Sequence, residues 1–451
     1  MPYQPSVTSR IQLATTSSTS ANLGATLIAT PMNYFKERTR PYNSFTEVQE
    51  DPAIPSTSVA YAALRSAFNA PSAAVPIYLG RQEVSKSIYT PVASRQGIVT
   101  AFSFTVSDGT TSVDVKHTST TSEDLEAIAT AVAALVTGLD VTATASGETV
   151  ELTASGANPV IVTDVKYFTD SFESTETAAE LYSALIEENE ENFYFLTWTD
   201  HTESSVLAMA AEVETSESSN FPKIYLPATQ DANSIVPQVE PAIDVMGKLK
   251  ALGYNRTACS WHEQADTNYI DAFTSAFIGQ FAAGSTTWKF VKSVGFAAAA
   301  DPSTGKPLPT SKQGYIRDRN GSWYGIERGV TFNHGGQMAS GEWIDTIRFK
   351  DWINDQIEVR LQNHLLNLPG NKASFTKSDI NVITGIINGV LKDGVDVGGL
   401  SGYVGAVVPE TISFSDQAER ILQGVKWTGY LAGAIHFIIV DGILTYSEEL
   451  Q

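Results

Sequence analysis

The sequence predicts an α/β fold, α+β overall: a layered α/β core interrupted by a small β-rich domain and carrying extended arms. Three observations point there. Strand-like and helix-like stretches alternate through residues 25–87 and again from 174 to 261. Short Thr/Ser/Val hairpins break that rhythm between 88 and 166. The closing stretch GVKWTGYLAGAIHFIIVDGILTYS is rich in β-branched and aromatic residues.

Residues 1–24 are poor in core formers, with only Ile11 and Leu13 in an alternating pattern, and read as an arm. A strand over 25–30 closed by Pro31, a helix over 57–69 with Ala60, Leu64 and Phe68 in a row, and a strand over 75–81 predict a parallel βαβ unit. In the interrupting block, runs at 101–106 and 111–115 flank Ser107-Asp108-Gly109-Thr110, and runs at 141–145 and 149–153 flank Ser146-Gly147-Glu148. Between these hairpins, Leu125, Ile128, Val132 and Leu135 mark a helix over 122–136. The block, 88–166, is expected to be an inserted peripheral domain.

The core, 25–87 and 167–335, resumes with helices over 178–188, 203–213 and 235–252 and strands over 193–198, 223–226 and 256–261. Loops and a hairpin near Asn320-Gly321 follow. Residues 336–451 are expected to form a C-terminal inner domain. Its helix over 343–367 sets Phe349, Trp352, Ile353, Ile357, Leu361 and Leu365 on one stripe, with Asp351, Asn354, Asp355, Glu358 and Gln362 largely opposite. A second helix over 378–391 has Thr376 as its cap, with Ile380, Ile383, Ile387 and Leu391 inward. A Gly-rich linker then leads to a closing strand over 435–440. There the turn Asp441-Gly442 sets Val440 opposite Ile443 and Phe437 opposite Tyr446. So adhesive a strand needs cover, from its own fold or from another chain.

Composition narrows the function. The 451 residues, 42% of them hydrophobic, suffice for two or three cores. No run is long and apolar enough for a membrane span, and the first residues, MPYQPSVTSRIQ, lack the pattern of a secretory leader, so a cytoplasmic site of synthesis is expected. The net charge of −21 argues against a nucleic-acid surface. Thirteen acids and no Lys or Arg lie between 167 and 222, a pattern that suits a solvated face. With Cys259 as the single cysteine, no intrachain disulfide and no thiolate metal cluster can form.

Chemical motifs are few. WHEQAD, with His262, Glu263 and Asp266, matches in part the helical His-Glu-x-x-His zinc pattern, but Asp stands for the second His and the helix-start reading outweighs it. Gly398, Gly399, Gly402 and Gly405 lack the Lys-Ser/Thr of a phosphate loop. There is no Gly-x-Ser-x-Gly elbow, and Cys259 falls in an expected buried strand. No catalytic residue, metal or cofactor is expected, and the balance favours a structural protein over an enzyme.

The irregular arm, the interrupted α/β segment, the helix GEWIDTIRFKDWINDQIEVRLQ and the ending YLAGAIHFIIVDGILTYS together resemble the contractile tail sheath proteins of myovirus-type bacteriophages, a phage sheath family formerly known only as an uncharacterised conserved domain. The resemblance covers both ends and the core, and the inserted domain poorly. It implies a sheath subunit of the virion tail, assembled in the host cytoplasm, whose partners are its own copies in stacked rings, the tail tube protein, and the baseplate and tail terminator proteins. No nucleic acid and no membrane are among them. Contraction would drive the tube through the host envelope for genome ejection without a nucleotide. Ile11 and Leu13 of the arm and Phe437, Ile439, Ile443 and Tyr446 of the ending are expected to exchange strands between subunits, and Lys350 and Arg360 to face the tube. Two alternatives from other classes are an α/β enzyme with a metal site near His262 and Glu263, and a surface adhesion protein.

Overall fold

The computed structural model describes residues 21–442 apart from Ala157, Pro369 and Asn371. This chain divides into two compact units, one of 22–349 with 433–442 and the other of Ala21 with 350–432. The first is built on a five-stranded sheet. Strand β1 (Thr26–Pro31) enters its centre. After an edge strand β2 (Thr39–Tyr42) come helices α1 (Phe45–Glu50) and α2 (Val59–Phe68), and β3 (Ile77–Gln82) then returns parallel to β1. This is the expected βαβ unit. Helix α2 starts where the Ser58 hydroxyl accepts from the Tyr61 N–H, and it buries Ala60, Ala63, Leu64 and Ala67 along one face.

The interruption consists of β4 (Lys86–Pro91), β5 (Ala101–Ser107), β6 (Ser112–Thr118), α3 (Leu125–Leu135), β7 (Val141–Ser146), β8 (Thr149–Ala154), β9 (Ile161–Lys166) and β10 (Phe168–Glu173). Its strands form two sheets, ordered β10-β4-β8-β7 and β6-β5-β9. Their shared core, with Leu125, Ile128 and Val132 of α3 inside, draws every fully buried member from between Tyr89 and Phe168. Both hairpins lie where the sequence places them, whereas β4, β9 and β10 carry no turn signal and add to the expected elements. Because β10 pairs with β4 as far as Glu173 opposite Lys86, and the Ser85 N–H bonds the Glu173 carbonyl at 2.8 Å, the chain enters and leaves this block at one point. Replacing 86–173 by a short Gly/Ser linker is therefore expected to leave a folded chain. Its Tm should fall, since the buried Tyr34 hydroxyl loses its acceptor Asp170. Circular dichroism with a melting curve checks this, and a variant without a cooperative melt would make the block part of the core.

Next come α4 (Ala178–Asn189), β11 (Phe195–Trp198), α5 (Glu203–Glu214) and β12 (Ile224–Tyr225), which complete the sheet in the order β12-β11-β1-β3-β2. Thr177 and Glu180 close a capping box on α4. A smaller sheet, β13-β14-β15-β16, is made by β13 (Ala228–Thr229), β14 (Ser260–Trp261), β15 (Ser322–Glu327) and β16 (Val330–His334). Helices α6 (Val245–Leu252), α7 (Ala265–Asn268), α8 (Ile270–Gly279) and α9 (Thr310–Arg317) are set between its strands. The large sheet is covered on both faces: Ile28 and Phe195 pack with α2 and α8, whereas Leu27, Ala29 and Leu196 pack with α4 and α5. Gly24 and Gly279 let two backbones touch, because a side chain on either would strike the other's carbonyl.

Three expectations are corrected here. The helix over 235–252 is only α6, capped by Asp244; Pro237 and Pro241 exclude the earlier half from a helix. The hairpin turn is Arg328-Gly329, both at positive φ, whereas Asn320, also at positive φ, lies between α9 and β15. Helix α9 stands where loops are expected, since its Gly314 and flanking Pro309 mask a weak helical pattern.

The division between the units falls inside helix α10 (Ile344–Asn367). The smaller unit continues with α11 (Lys377–Asp396), β17 (Leu400–Val407), α12 (Phe414–Glu419) and β18 (Lys426–Leu431). Thr376 caps α11 by accepting from the Asp379 N–H, as expected. The Gly-rich stretch is not a linker but strand β17, antiparallel to β18. On α10, Phe349 and Ile353 are buried, but so are Asp351 and Asp355, and Leu365 is exposed, against the expected stripe. One cause is a polar demand: Asp355 accepts the Ala21 backbone N–H at 2.9 Å.

Candidate assembly surface

Sheet β17–β18 has two strands, so each presents an open edge within the described residues. Such a ribbon is marginal alone, and α11 supports it: Leu400, Ile387, Val390 and Leu391 are buried, and the Asn388 side chain accepts the Ala406 N–H at 2.6 Å. Val404, Val407, Tyr430 and Leu431 remain exposed. Beyond the ladder's last bond, from the Ala432 N–H to the Gly399 carbonyl, the chain takes no strand pairing through Gly442. The strand expected over 435–440 is therefore unformed in the single chain. Ile435, Phe437, Ile438, Ile439 and Val440 are 75–89% exposed, because no strand edge among the described residues receives them. Of the residues expected to exchange strands, Phe437 and Ile439 stand in this segment. Ile11, Leu13, Ile443 and Tyr446 lie outside the described residues.

The expected tube-facing pair is on α10. Lys350 is exposed, and Arg360 donates to Asp393 of α11 at 2.7 Å and to Gln356 at 3.3 Å, so its guanidinium braces two helices.

A crevice of about 640 Å³ opens at the carboxyl ends of β1 and β11. His201, on the loop after β11, is sandwiched there between Asp266 of α7 at 2.8 Å and Asp271 of α8 at 3.3 Å, and the Gln230 amide donates to Asp266 at 2.6 Å. Asp266 thus serves His201 and not the WHEQAD pattern. His262 is fully buried, its ring held by the Ala297 carbonyl at 3.2 Å and the Gln264 N–H at 3.0 Å, and Glu263 accepts the Ala300 N–H at 2.7 Å. Among the described residues no group of three or more His, Cys, Asp or Glu is placed to hold a metal ion. The Cys259 thiol is buried, and burial pushes its pKa up.

Burial alone would pull the His201 pKa down, but its bonds to Asp266 and Asp271 outweigh that and carry it up to about 9. A folded-state pKa raised above the unfolded value adds stability that is complete below about pH 6.5 and is lost as pH rises through the folded value. The Tm advantage of the native chain over His201→Asn is expected to shrink between about pH 7 and about pH 10. An advantage constant across that range would show that His201 is neutral.

No protein-family model matches the sequence, and no curated protein matches it. Solved structures do. A subunit of the contracted helical sheath of the anti-feeding prophage superposes with a TM-score of 0.56 at 12% identity, over 99% of this chain and 100% of that one. The chain has a sheath-protein fold. A chain of the six-fold symmetrised baseplate of the same prophage gives 0.55 at 13% identity, with 99% and 100% covered. The sheath tail protein of Desulfitobacterium hafniense gives 0.51 at 7% identity, with 89% and 93% covered.

Sequence reasoning missed the place where the closing segment touches its own sheath-fold chain, at Thr287, Lys289, Phe290 and Trp343. Its one signal was His436, a polar residue inside an apolar run.

Proposed function

We propose that the chain is a structural subunit of a contractile sheath, in a phage tail or a phage-tail-like particle, and not an enzyme. The observation that carries this is the full-length fold match to a subunit of a helical contractile sheath. The open edges of β17–β18 and the exposed apolar segment from Ile435 to Val440 support it, since both are what a lattice of shared strands uses. Each backbone hydrogen bond gained in a shared sheet contributes about 0.5–1.5 kcal/mol net, so a short donated strand links neighbours while letting their bodies rotate. Contraction is a passage from an extended lattice to one that buries more surface. The chain polymerises with its own copies around a tail tube, between baseplate and terminator proteins, after synthesis in a host cytoplasm; contraction drives the tube through the host envelope.

Electron microscopy of the purified protein tests this, with tubes of regular diameter expected; monomers at every concentration and salt would contradict it. In the same preparation, Lys350→Glu with Arg360→Glu is expected to weaken binding to tail tube at low salt, with a cooperative melt retained at a slightly lower Tm because the part-exposed Arg360–Asp393 pair is lost. Undiminished binding would remove α10 from the tube-facing wall.

A further inference from the structure

The closing segment touches its own chain at one place. His436 Nε2 lies 2.8 Å from the Thr287 hydroxyl, and the Lys289 ammonium donates to the His436 carbonyl at 2.8 Å. The same ammonium sits 3.5 Å from the centre of the Phe437 ring, and Trp343 meets the His436 ring edge to face at 4.4 Å. Phe290 stands beside the imidazole at 6.3 Å.

We propose that this niche is a docking site for the chain's own segment around His436, and that self-docking holds the segment back from other subunits. The proposal rests on the sheath reading above. The pattern of burial argues for it. If the hydrophobic effect alone placed the segment, the isoleucines would be inside; instead His436 is half-buried while Ile435, Ile438 and Ile439 are 76–89% exposed. The contact is therefore centred on His436, with the Phe437 ring over the Lys289 ammonium, and leaves the isoleucines outward. Docking also competes with pairing. In a strand the carbonyls point alternately to the two edges, and the His436 carbonyl is already taken by Lys289. While docked, the segment cannot complete a ladder on that edge. A few polar and ring contacts are weak enough to release when a neighbouring edge offers a full row of bonds.

The full-length chain with His436→Ala, and separately with Thr287→Val, tests the idea. Thr287→Val alters the niche and leaves the segment's own strand propensity untouched. In dilute monomer, chymotryptic cleavage of the Phe437–Ile438 bond, read by mass spectrometry, is expected to run about five-fold faster in both variants. The concentration at which polymers appear is expected to fall about five-fold. Unchanged cleavage overturns the docking. Faster cleavage with an unchanged or higher assembly concentration overturns the holding-back and makes His436 a root the polymer needs. Absence of polymers from native and variant chains alike removes the sheath reading and the competition with it, whereas native polymers with unaltered thresholds remove the competition alone.

Discussion

A chain ended at Ala432 is expected to be a folded monomer that forms no polymers. The described part of the removed segment, 433–442, contributes little to its own fold: Ile435 and Phe437 to Val440 are exposed, and His436 and Phe437 meet Thr287, Lys289, Phe290 and Trp343. The loss of these contacts should cost on the order of 1 kcal/mol. For assembly the same segment supplies the strand, so the concentration needed for polymers should rise by roughly two orders of magnitude or more. Deleting residues 1–20, with Ile11 and Leu13, is expected to act in the same direction. A size distribution beside a melting curve reads both quantities. Normal polymers from either truncated chain would defeat strand exchange, and an unfolded monomer would assign the missing residues to their own core.

Arg319→Ala is expected to give the largest loss of stability from a single substitution. Arg319 and Asp244 have side chains 1% exposed each and meet at 2.9 Å. The Arg319 guanidinium also donates to the Tyr315 carbonyl at 3.0 Å and the Asn233 carbonyl at 3.1 Å. Asp244 accepts from the Ser234 hydroxyl at 3.1 Å and the Gly247 N–H at 2.9 Å. Removing the cation leaves a buried carboxylate unpaired, at a cost of about 3–5 kcal/mol. That is a large share of the 5–15 kcal/mol typical of a folded domain. Asp244→Asn keeps an oxygen for the α6 cap and is expected to cost less. The double variant should cost less than the sum of the single ones, since each change forfeits the same bond. Urea titrations measure this, and strict additivity would mean the pair is not coupled.

The α/β rhythm was legible because local patterns encode it. β1 is apolar on both faces and α2 on one, and each hairpin of the interrupting block carries its own turn residues. What escaped depends on distant partners. Leu400 to Val407 reads as linker because its glycines hide the alternation, and it becomes a strand only beside Lys426–Leu431. Asp351 and Asp355 have polar partners to serve, of which Ala21 is one, and helical periodicity does not reveal this. The stretch from Ile435 to Val440 fails in the opposite way: its β propensity is real, but a strand also needs a partner, and among the described residues this stretch pairs with none. His201, Asp266 and Asp271 lie on three separate elements, so no motif could have joined them.

Hydrogen exchange along residues 438–442, compared between dilute monomer and assembled polymer, tests strand sharing most directly. The amides of the monomer should exchange about as fast as those of an unstructured peptide, and those of the polymer should be slowed by orders of magnitude as each finds a partner carbonyl. Equal, unprotected exchange in both states would show that this segment pairs with no other subunit, and would contradict the account.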